Sequence, residues 1–414
     1  MGGGGNSCGR GQKIFETNKQ PAKFNVKPDI ASSLNDFLFN YKTELFMADL
    51  KIGLIGCGMI AERGHLIAIN QTPGVVIHSL FDINFERAVE LQKRFGAVHA
   101  FRTEEEFWSS DFDVAVICTP APLHPQHVAT AAKYGKDILC EKPLAMTEPE
   151  IEEMIRVTQQ AGVKLYTGFT YRFSPSALKI QQLVREGSIG EVRSLRLIYI
   201  WNLHGKWTYD EAGKMIPSPL RVGRMREGGP MVDCGVHQID LARWWLGSEV
   251  ASFNGQGVWV EDFEAPDHMY LHLDHDCGAH TMVEMSFSYN ATSKEPTSNF
   301  QYELIGTDGV IRWNREERNF TVRNSQGTLH LPWFPEKNFR GMYEELARAM
   351  ASGEDGNMPR AEDGLAATRI ARTATEDAIA NRAETSRRHC STMKRADERL
   401  LADVIPADSA EPGD

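Results

Sequence analysis

The sequence predicts an α/β protein: an N-terminal doubly wound parallel sheet joined to a C-terminal α+β domain built on a mostly antiparallel sheet with one face covered. Three observations carry this. From residue 50, short continuous apolar runs alternate with amphipathic stretches, as in strands buried on both faces and the helices that cover them. A glycine-rich turn separates the first apolar run from the first amphipathic stretch. After about residue 171 the rhythm changes to longer segments that alternate polar and apolar residues.

In chain order, strands are expected at Lys51–Ile55, Val75–Phe81, Val114–Cys118, Ile138–Cys140 and Lys164–Gly168, with helices near 59–70, 84–95, 124–134 and 148–161. The right-handed crossover rule turns this alternation into a doubly wound sheet. A helix over 175–186 then leads to strands near 191–203, 250–261, 267–274, 279–289 and 301–313, punctuated by turns such as Asp276-Cys277-Gly278 and Thr307-Asp308-Gly309. Residues 229–246 read as a helix, through Ile239, Leu241, Ala242 and Trp245, and two more helices are expected at 336–352 and 360–383. The domains are therefore 47–170 and 171–385. Residues 1–46, glycine-rich and polar, read as a disordered extension before a fresh start at Met47, and 386–414 as a flexible tail.

With 414 residues the chain suits two domains plus tails. A formal net charge of -11 argues against nucleic acid or an anionic membrane as partner, since both repel that field. No apolar run is long enough to span a bilayer. The seven cysteines are scattered, with no Cys-x-x-Cys pair, so neither a disulfide framework nor a zinc site is expected. Cys57, Cys118 and Cys140 fall in apolar runs, which suits a reducing, cytoplasmic setting.

Gly56-x-Gly58-x-x-Ala61 follows the first strand and opens the first helix through Met59 and Ile60. In a Rossmann domain the first glycine makes the tight turn, the second lets backbone approach the cofactor pyrophosphate, and the small third residue permits close helix–sheet packing. The second strand ends at Asp82, 21 residues beyond Ala61, where a carboxylate accepts from ribose hydroxyls. Such a carboxylate repels a 2′-phosphate, and Ile83 and Asn84 offer it no adjacent arginine, so NAD is preferred to NADP.

Three further segments narrow the reading: Cys118-Thr119-Pro120-Ala121-Pro122-Leu123-His124, Cys140-Glu141-Lys142-Pro143-Leu144-Ala145 and Asp233-Cys234-Gly235-Val236-His237-Gln238-Ile239-Asp240. With the glycine loop, over about residues 49–385, they resemble the Gfo/Idh/MocA family of glucose-fructose oxidoreductase, inositol dehydrogenase and rhizopine catabolism proteins. The resemblance implies hydride transfer between NAD(P) and a hydroxyl or carbonyl of a sugar, polyol or cyclitol. It also implies an open-faced sheet often used for dimer or tetramer contacts. It carries the reactive set to Lys142, Asp233 and His237, and cofactor contacts to Thr119, Pro120, His124, Glu141 and Lys142; Ala121 stands where the family has Asn. Gly168-Phe169-Thr170-Tyr171-Arg172 matches a further family segment and makes Arg172 a substrate candidate beside Asp233 and His237.

The residue types fit that chemistry. Alcohol oxidation releases a proton, for which His237 is the natural acceptor; Lys142 stabilises a developing alkoxide, and Asp233 orients the hydroxyl or the imidazole. Asp240 reads as structural support or a second substrate contact. Tyr199, Trp201, His204, Trp207, Tyr209, Arg221 and Arg224 suit sugar stacking and interdomain packing equally. His268, His272, His275 and His280 alternate as on a solvated or interface sheet face, with no metal expected. Two alternatives remain: a glycosidase of the same family that cycles a held NAD, and a non-catalytic dinucleotide-sensing regulator.

Overall fold

The computed structural model describes residues 49–202, 205–289, 295 and 297–404, with side chains to residue 382. The expected extension over 1–46 and His204 lie outside the described residues.

Six strands form the first sheet: β1 (Leu50–Ile55), β2 (Val75–Phe81), β3 (His99–Phe101), β4 (Val114–Ile117), β5 (Asp137–Cys140) and β6 (Leu165–Thr167). Their order is β3-β2-β1-β4-β5-β6, all parallel, so the order reverses between β1 and β4. In such sheets ligands bind at that reversal, beyond the carboxyl ends of the strands. Ile52, Leu54, Val114 and Val116 are fully buried, because helices cover both faces. A π-helical turn (Ala61–His65) runs into α1 (Leu66–Gln71), followed by α2 (Phe85–Phe95), α3 (Glu104–Trp108), α4 (His124–Lys133) and α5 (Glu148–Ala161). Local chemistry fixes their ends. The Asn84 side chain accepts from the Arg87 N–H at the start of α2, and Thr147 forms a capping box with Glu150 at the start of α5. The short β3 and α3 had no counterpart in the sequence reading; three- and five-residue elements carry too few positions to show a period.

After α6 (Pro175–Arg185) the second sheet starts with β7 (Val192–Ile200). A small hairpin of β8 (Trp207–Tyr209) and β9 (Met215–Pro217) follows, then α7 (Pro219–Arg226), a second π turn (Met231–Gly235) and α8 (Val236–Leu246). The sheet is completed by β10 (Val250–Val258), β11 (His268–His275), β12 (His280–Ser286), β13 (Asn299–Gly306), β14 (Gly309–Asn314), β15 (Asn319–Asn324) and β16 (Gly327–His330). Its order is β10-β11-β12-β7-β13-β14-β15-β16; β12 and β7 run parallel, and the other neighbouring pairs are antiparallel. The segment expected as one strand over 301–313 is a hairpin, with Thr307 and Asp308 between β13 and β14. Leu195, Leu197, Met269, Leu271, Val283, Phe300 and Tyr302 point to the inner face and pack on α8 and the last helix. The outer face carries Arg196, His272, Asp274, His280 and Arg312.

The chain then returns to the first sheet. Met342, Tyr343, Leu346 and Ala349 of α9 (Phe339–Ser352) join Leu54, Leu66, Ile69 and Val116 in one core. The last helix, α10 (Ala361–Val404), spans both halves. Ala361 and Leu365 pack with Ile151 and Met154, and Ala367, Ile370, Ala371 and Ala374 with Met269 and Leu271. Gly255 lets this helix approach closely: a Cβ there would lie 2.8 Å from Ala374 Cβ. The backbone stays helical to Val404, through most of the stretch expected as a flexible tail, and no Gly or Pro interrupts it between 386 and 404. Among the described residues, no helix is long and apolar enough to cross a membrane.

Candidate functional site

The glycine loop leaves β1 at the point where the strand order reverses. Gly56 has φ 92°, and a Cβ on it would lie 2.7 Å from the Thr119 backbone nitrogen, so a side chain is excluded by both conformation and space. A Cβ on Gly58, by contrast, would meet nothing within 4 Å: the loop is open where a phosphate has to approach the backbone. Met59 and Ile60 are exposed beside it, and Ala61 is fully buried against the sheet. Asp82 closes the loop from β2, its Oδ2 accepting from Cys57 N–H at 2.7 Å and its Oδ1 from Asn84 N–H at 2.8 Å. A carboxylate has about four acceptor positions, so it retains capacity for ribose hydroxyls. These residues therefore fit a dinucleotide.

Arg87, which the sequence reading passed over, donates to Cys57 O at 3.1 Å and is ion-paired with Glu62 and Glu90. Its guanidinium serves the loop and its neighbours.

Thr119 stands at the end of β4, its Oγ1 3.0 Å from His127 Nδ1. His124, expected as a cofactor contact, is almost fully buried. Its Nε2 lies 2.7 Å from Thr119 O, and its Nδ1 3.1 Å from Pro143 O and Leu144 O. Both ring nitrogens face backbone carbonyls, so His124 clamps the loop after β4 to the loop after β5. Glu141 is likewise turned to the protein. Its Oε1 lies 2.9 Å from His65 Nε2, and its Oε2 accepts from the Lys142 N–H at 3.1 Å.

Lys142 crosses to the second half. Its Nζ donates to Asp233 Oδ1 at 2.9 Å and to Asp233 O at 2.7 Å; the Lys142–Pro143 bond is cis. Burial works against the charge on both partners, but their mutual attraction wins: Lys142 is raised above the ordinary lysine range and Asp233 held well below the carboxylate range. The Arg224 guanidinium, 3.8 Å from Asp233 Oδ1 and 2.6 Å from Glu227, adds to the hold on Asp233. Asp233 sits in the π turn, which the sequence reading had as ordinary helix, and His237 in the first turn of α8. His237 stacks on Tyr171 with ring centroids 4.0 Å apart and planes 5° apart, and meets Phe169 edge-on. Its Nδ1 is buried with no hydrogen-bond partner among the described residues. Burial, reinforced by Lys142 and Lys337 and only partly opposed by Asp233, keeps its pKa well below 6.5. At neutral pH the imidazole is therefore uncharged, beside a charged Lys142–Asp233 pair.

Arg172 does not reach this cluster as a free donor. Its guanidinium forks onto both Asp240 oxygens and also meets Asp363 at 3.2 Å. Its family segment contributes Tyr171 to the site instead. Of the aromatic group, Tyr199 stacks on Phe300 in the core, and Arg221 is buried between Phe287 O and Glu261, while Trp207 and Tyr209 are exposed on the hairpin. On the outer sheet face His272, His280 and Asp274 bond in a chain, and His268 pairs with Glu284. No metal-holding group of three His, Cys, Asp or Glu occurs among the described residues.

Known proteins resemble both halves. Residues 50–169 match the model of an oxidoreductase family with an NAD-binding Rossmann fold, and residues 177–312 the GFO/IDH/MocA C-terminal domain. A myo-inositol 2-dehydrogenase of Thermotoga maritima is 26% identical over 331 residues, 76% of this chain and 92% of that protein. A levoglucosan dehydrogenase of Pseudarthrobacter phenanthrenivorans is 28% identical over 66% of this chain and 75% of its own. The solved structure of a levoglucosan dehydrogenase in complex with NADH and L-sorbose has the same fold, at a TM-score of 0.70 and 23% identity, covering 81% of this chain and 98% of that one.

Proposed function

Because the chain belongs to the Gfo/Idh/MocA family of NAD-binding oxidoreductases, we propose that it is an NAD-dependent dehydrogenase acting on a CH–OH group of a sugar, polyol or cyclitol. The observation that supports this best is the charged Lys142–Asp233 pair beside an uncharged, stacked His237. The named relatives that act on inositol and levoglucosan point to the same substrate class.

Gly56, Gly58, Met59, Ile60 and Asp82 would hold the dinucleotide, with contacts from Thr119 and Pro120. Bound NAD supplies the acceptor for the substrate's hydride. The chain's residues handle the proton and the charge. His237, uncharged, accepts the hydroxyl proton. The Lys142 ammonium stabilises the oxygen as it becomes an alkoxide, and Asp233 fixes that ammonium. Stacking on Tyr171 holds the imidazole plane, and Arg224 offers a further donor to substrate hydroxyls. Arg172 supports this arrangement from behind through Asp240. The enzyme works in the cytoplasm, where the buried thiols of Cys57, Cys118 and Cys140 stay reduced. It assembles as a homo-oligomer through the outer face of the second sheet.

Purified protein mixed with NAD and a panel of sugars and inositols should give net NADH absorbance with at least one of them. Bound cofactor with product formation but no net NADH would instead mark a glycosidase cycle, and cofactor binding with no turnover on any sugar derivative a sensor.

A further inference from the structure

Glu141, His65 and Tyr343 form a buried chain that the proposed chemistry does not use. Tyr343 OH lies 2.7 Å from His65 Nδ1, His65 Nε2 lies 2.9 Å from Glu141 Oε1, and Glu141 Oε2 accepts from the Lys142 N–H at 3.1 Å. His65 and Tyr343 are fully buried and Glu141 nearly so. One tautomer satisfies every partner: the Tyr343 O–H donates to Nδ1, and the Nε2–H donates to the carboxylate. Three separate elements meet in this chain. His65 ends the π turn that follows the glycine loop, Glu141 follows β5, and Tyr343 comes from α9, 278 residues beyond His65. Phe339 of the same helix meets His65 edge-on at 5.1 Å, so the imidazole is packed as well as bonded. A Cβ on Gly168 would lie 3.2 Å from Glu141 Oε1, so the carboxylate is closed in from that side too.

We infer that His65 and Tyr343 are positioning residues for Lys142, acting through Glu141, and that Glu141 is a fixed counter-charge rather than a contact for the cofactor. The inference rests on Lys142 taking part in hydride transfer, as proposed above. A buried carboxylate is tolerated only when its oxygens are engaged; here one is anchored on His65 and the other accepts from the Lys142 N–H, which fixes the backbone from which Lys142 extends. Burial pushes Glu141 up, but His65 and Lys142 more than offset this and keep it ionised. Other groups that face it are His124, Cys118, Cys140 and Tyr343. Lys142 in turn faces Asp233, Cys234, Glu141, Arg224 and His237, and Glu141 is one of the groups that favour its charged form. Loosening the chain should thus affect Lys142 in two readable ways: its aim, and its readiness to lose a proton.

Two readouts test this on the full-length protein. The first is the rate at which acetic anhydride labels Lys142 at a series of pH values, followed by peptide mass spectrometry, which needs no substrate. The second is kcat and KM with NAD and whichever sugar or inositol the panel above identifies. Tyr343→Phe removes one hydroxyl and keeps the ring. It should shift the labelling profile of Lys142 to lower pH and reduce kcat by roughly five- to tenfold, about the worth of one hydrogen bond, with the Kd for NAD within about twofold of wild type. Glu141→Gln should shift the profile further in the same direction. At position 65, His65→Gln keeps a donor and an acceptor and should retain more turnover than His65→Leu, even if both lower Tm. Unchanged labelling and unchanged kcat in a folded Tyr343→Phe protein would overturn the inference. So would a loss of kcat matched by an equal loss of NAD affinity with no shift in labelling, the pattern of general loosening. A shifted labelling profile with unchanged kcat would leave the chain standing and remove Lys142 from the reaction.

Discussion

At the scale of single residues, the proposed chemistry separates a proton acceptor from a charge. His237→Ala and Lys142→Ala should each lower turnover by about 10²–10⁴-fold, the usual worth of a positioned acid or base. NAD affinity should change little in His237→Ala, since that residue belongs to α8 and the second half. The pH dependence follows from the same groups. A base must be unprotonated, so kcat rises with pH through the His237 pKa, which burial and the nearby lysines keep well below 6.5. Lys142, raised above 10.5, stays charged far into the alkaline range. Turnover should therefore be flat from about pH 7 to 9, with an acid limb below 6.5 that disappears in His237→Ala. A limb centred at or above 6.5 would contradict the burial of this imidazole. Arg172 makes a different prediction. It is nearly buried and forked onto Asp240, whose own pKa is pushed up to about 6 by burial despite the guanidinium. Asp240→Asn leaves that guanidinium without its main partner and should cost about 3–5 kcal/mol in a denaturant titration. Because the folded state holds the Asp240 proton more tightly than the unfolded chain, this residue's contribution falls as pH rises from about 4 to 6. Asp240→Asn should flatten that part of the stability profile.

At the scale of elements, the glycine loop depends on the neighbour proposed to read the cofactor. Asp82 bonds both the Cys57 and Asn84 N–H groups, so it shapes the loop besides its proposed role toward the ribose. Replacing Asp82 by Ser and Ile83 by Arg should weaken NAD by about tenfold or more through loss of the charged hydrogen bonds, and improve NADP relative to NAD. Fluorescence titration with both dinucleotides measures it; a wild-type preference for NADP would refute the assignment of Asp82. Much of this region was legible in the sequence. Strand β4 is an unbroken apolar run, and β1 and β2 are mostly apolar, because both faces of the sheet are covered, and the glycine spacing carries its own backbone geometry. Orientation was not legible. The motifs named His124, Glu141 and Arg172, but each side chain turns to protein partners that no motif spacing shows: backbone carbonyls, His65, and Asp240 with Asp363. His65 and Tyr343 gave no signal at all, since a histidine inside a helix and a tyrosine 278 residues later look like ordinary core. The π turn that carries Asp233 was read as plain helix because its apolar pattern matches one over so few residues.

For the whole molecule, the last helix is the tie between the halves, and its fit to the second sheet is tight. Gly255 brings the Ala374 face onto β10 with no room for a larger group. Ala374→Leu should therefore destabilise by about 1–3 kcal/mol through overpacking, seen as a lower Tm, while an exposed position on the same helix such as Thr373 tolerates Leu. The sequence foretold the helix but not this role, because alanines spaced along one helix face say that a partner comes close without saying which.

The return of α9 to the first sheet also bears on how such a protein could be recombined. A single junction near residue 170 would leave the nucleotide-binding half without Met342, Tyr343, Leu346 and Ala349, and so with a hole in its core. The interchangeable piece is an internal cassette, running from about α6 to the segment before α9, together with the α10 face, Ala367 to Ala374, that packs on it. Exchanging substrate preference between relatives therefore calls for two crossovers and a matching α10 face, and a graft that keeps both junctions keeps Tyr343 on His65 and Lys142 in place for whatever substrate the new cassette brings.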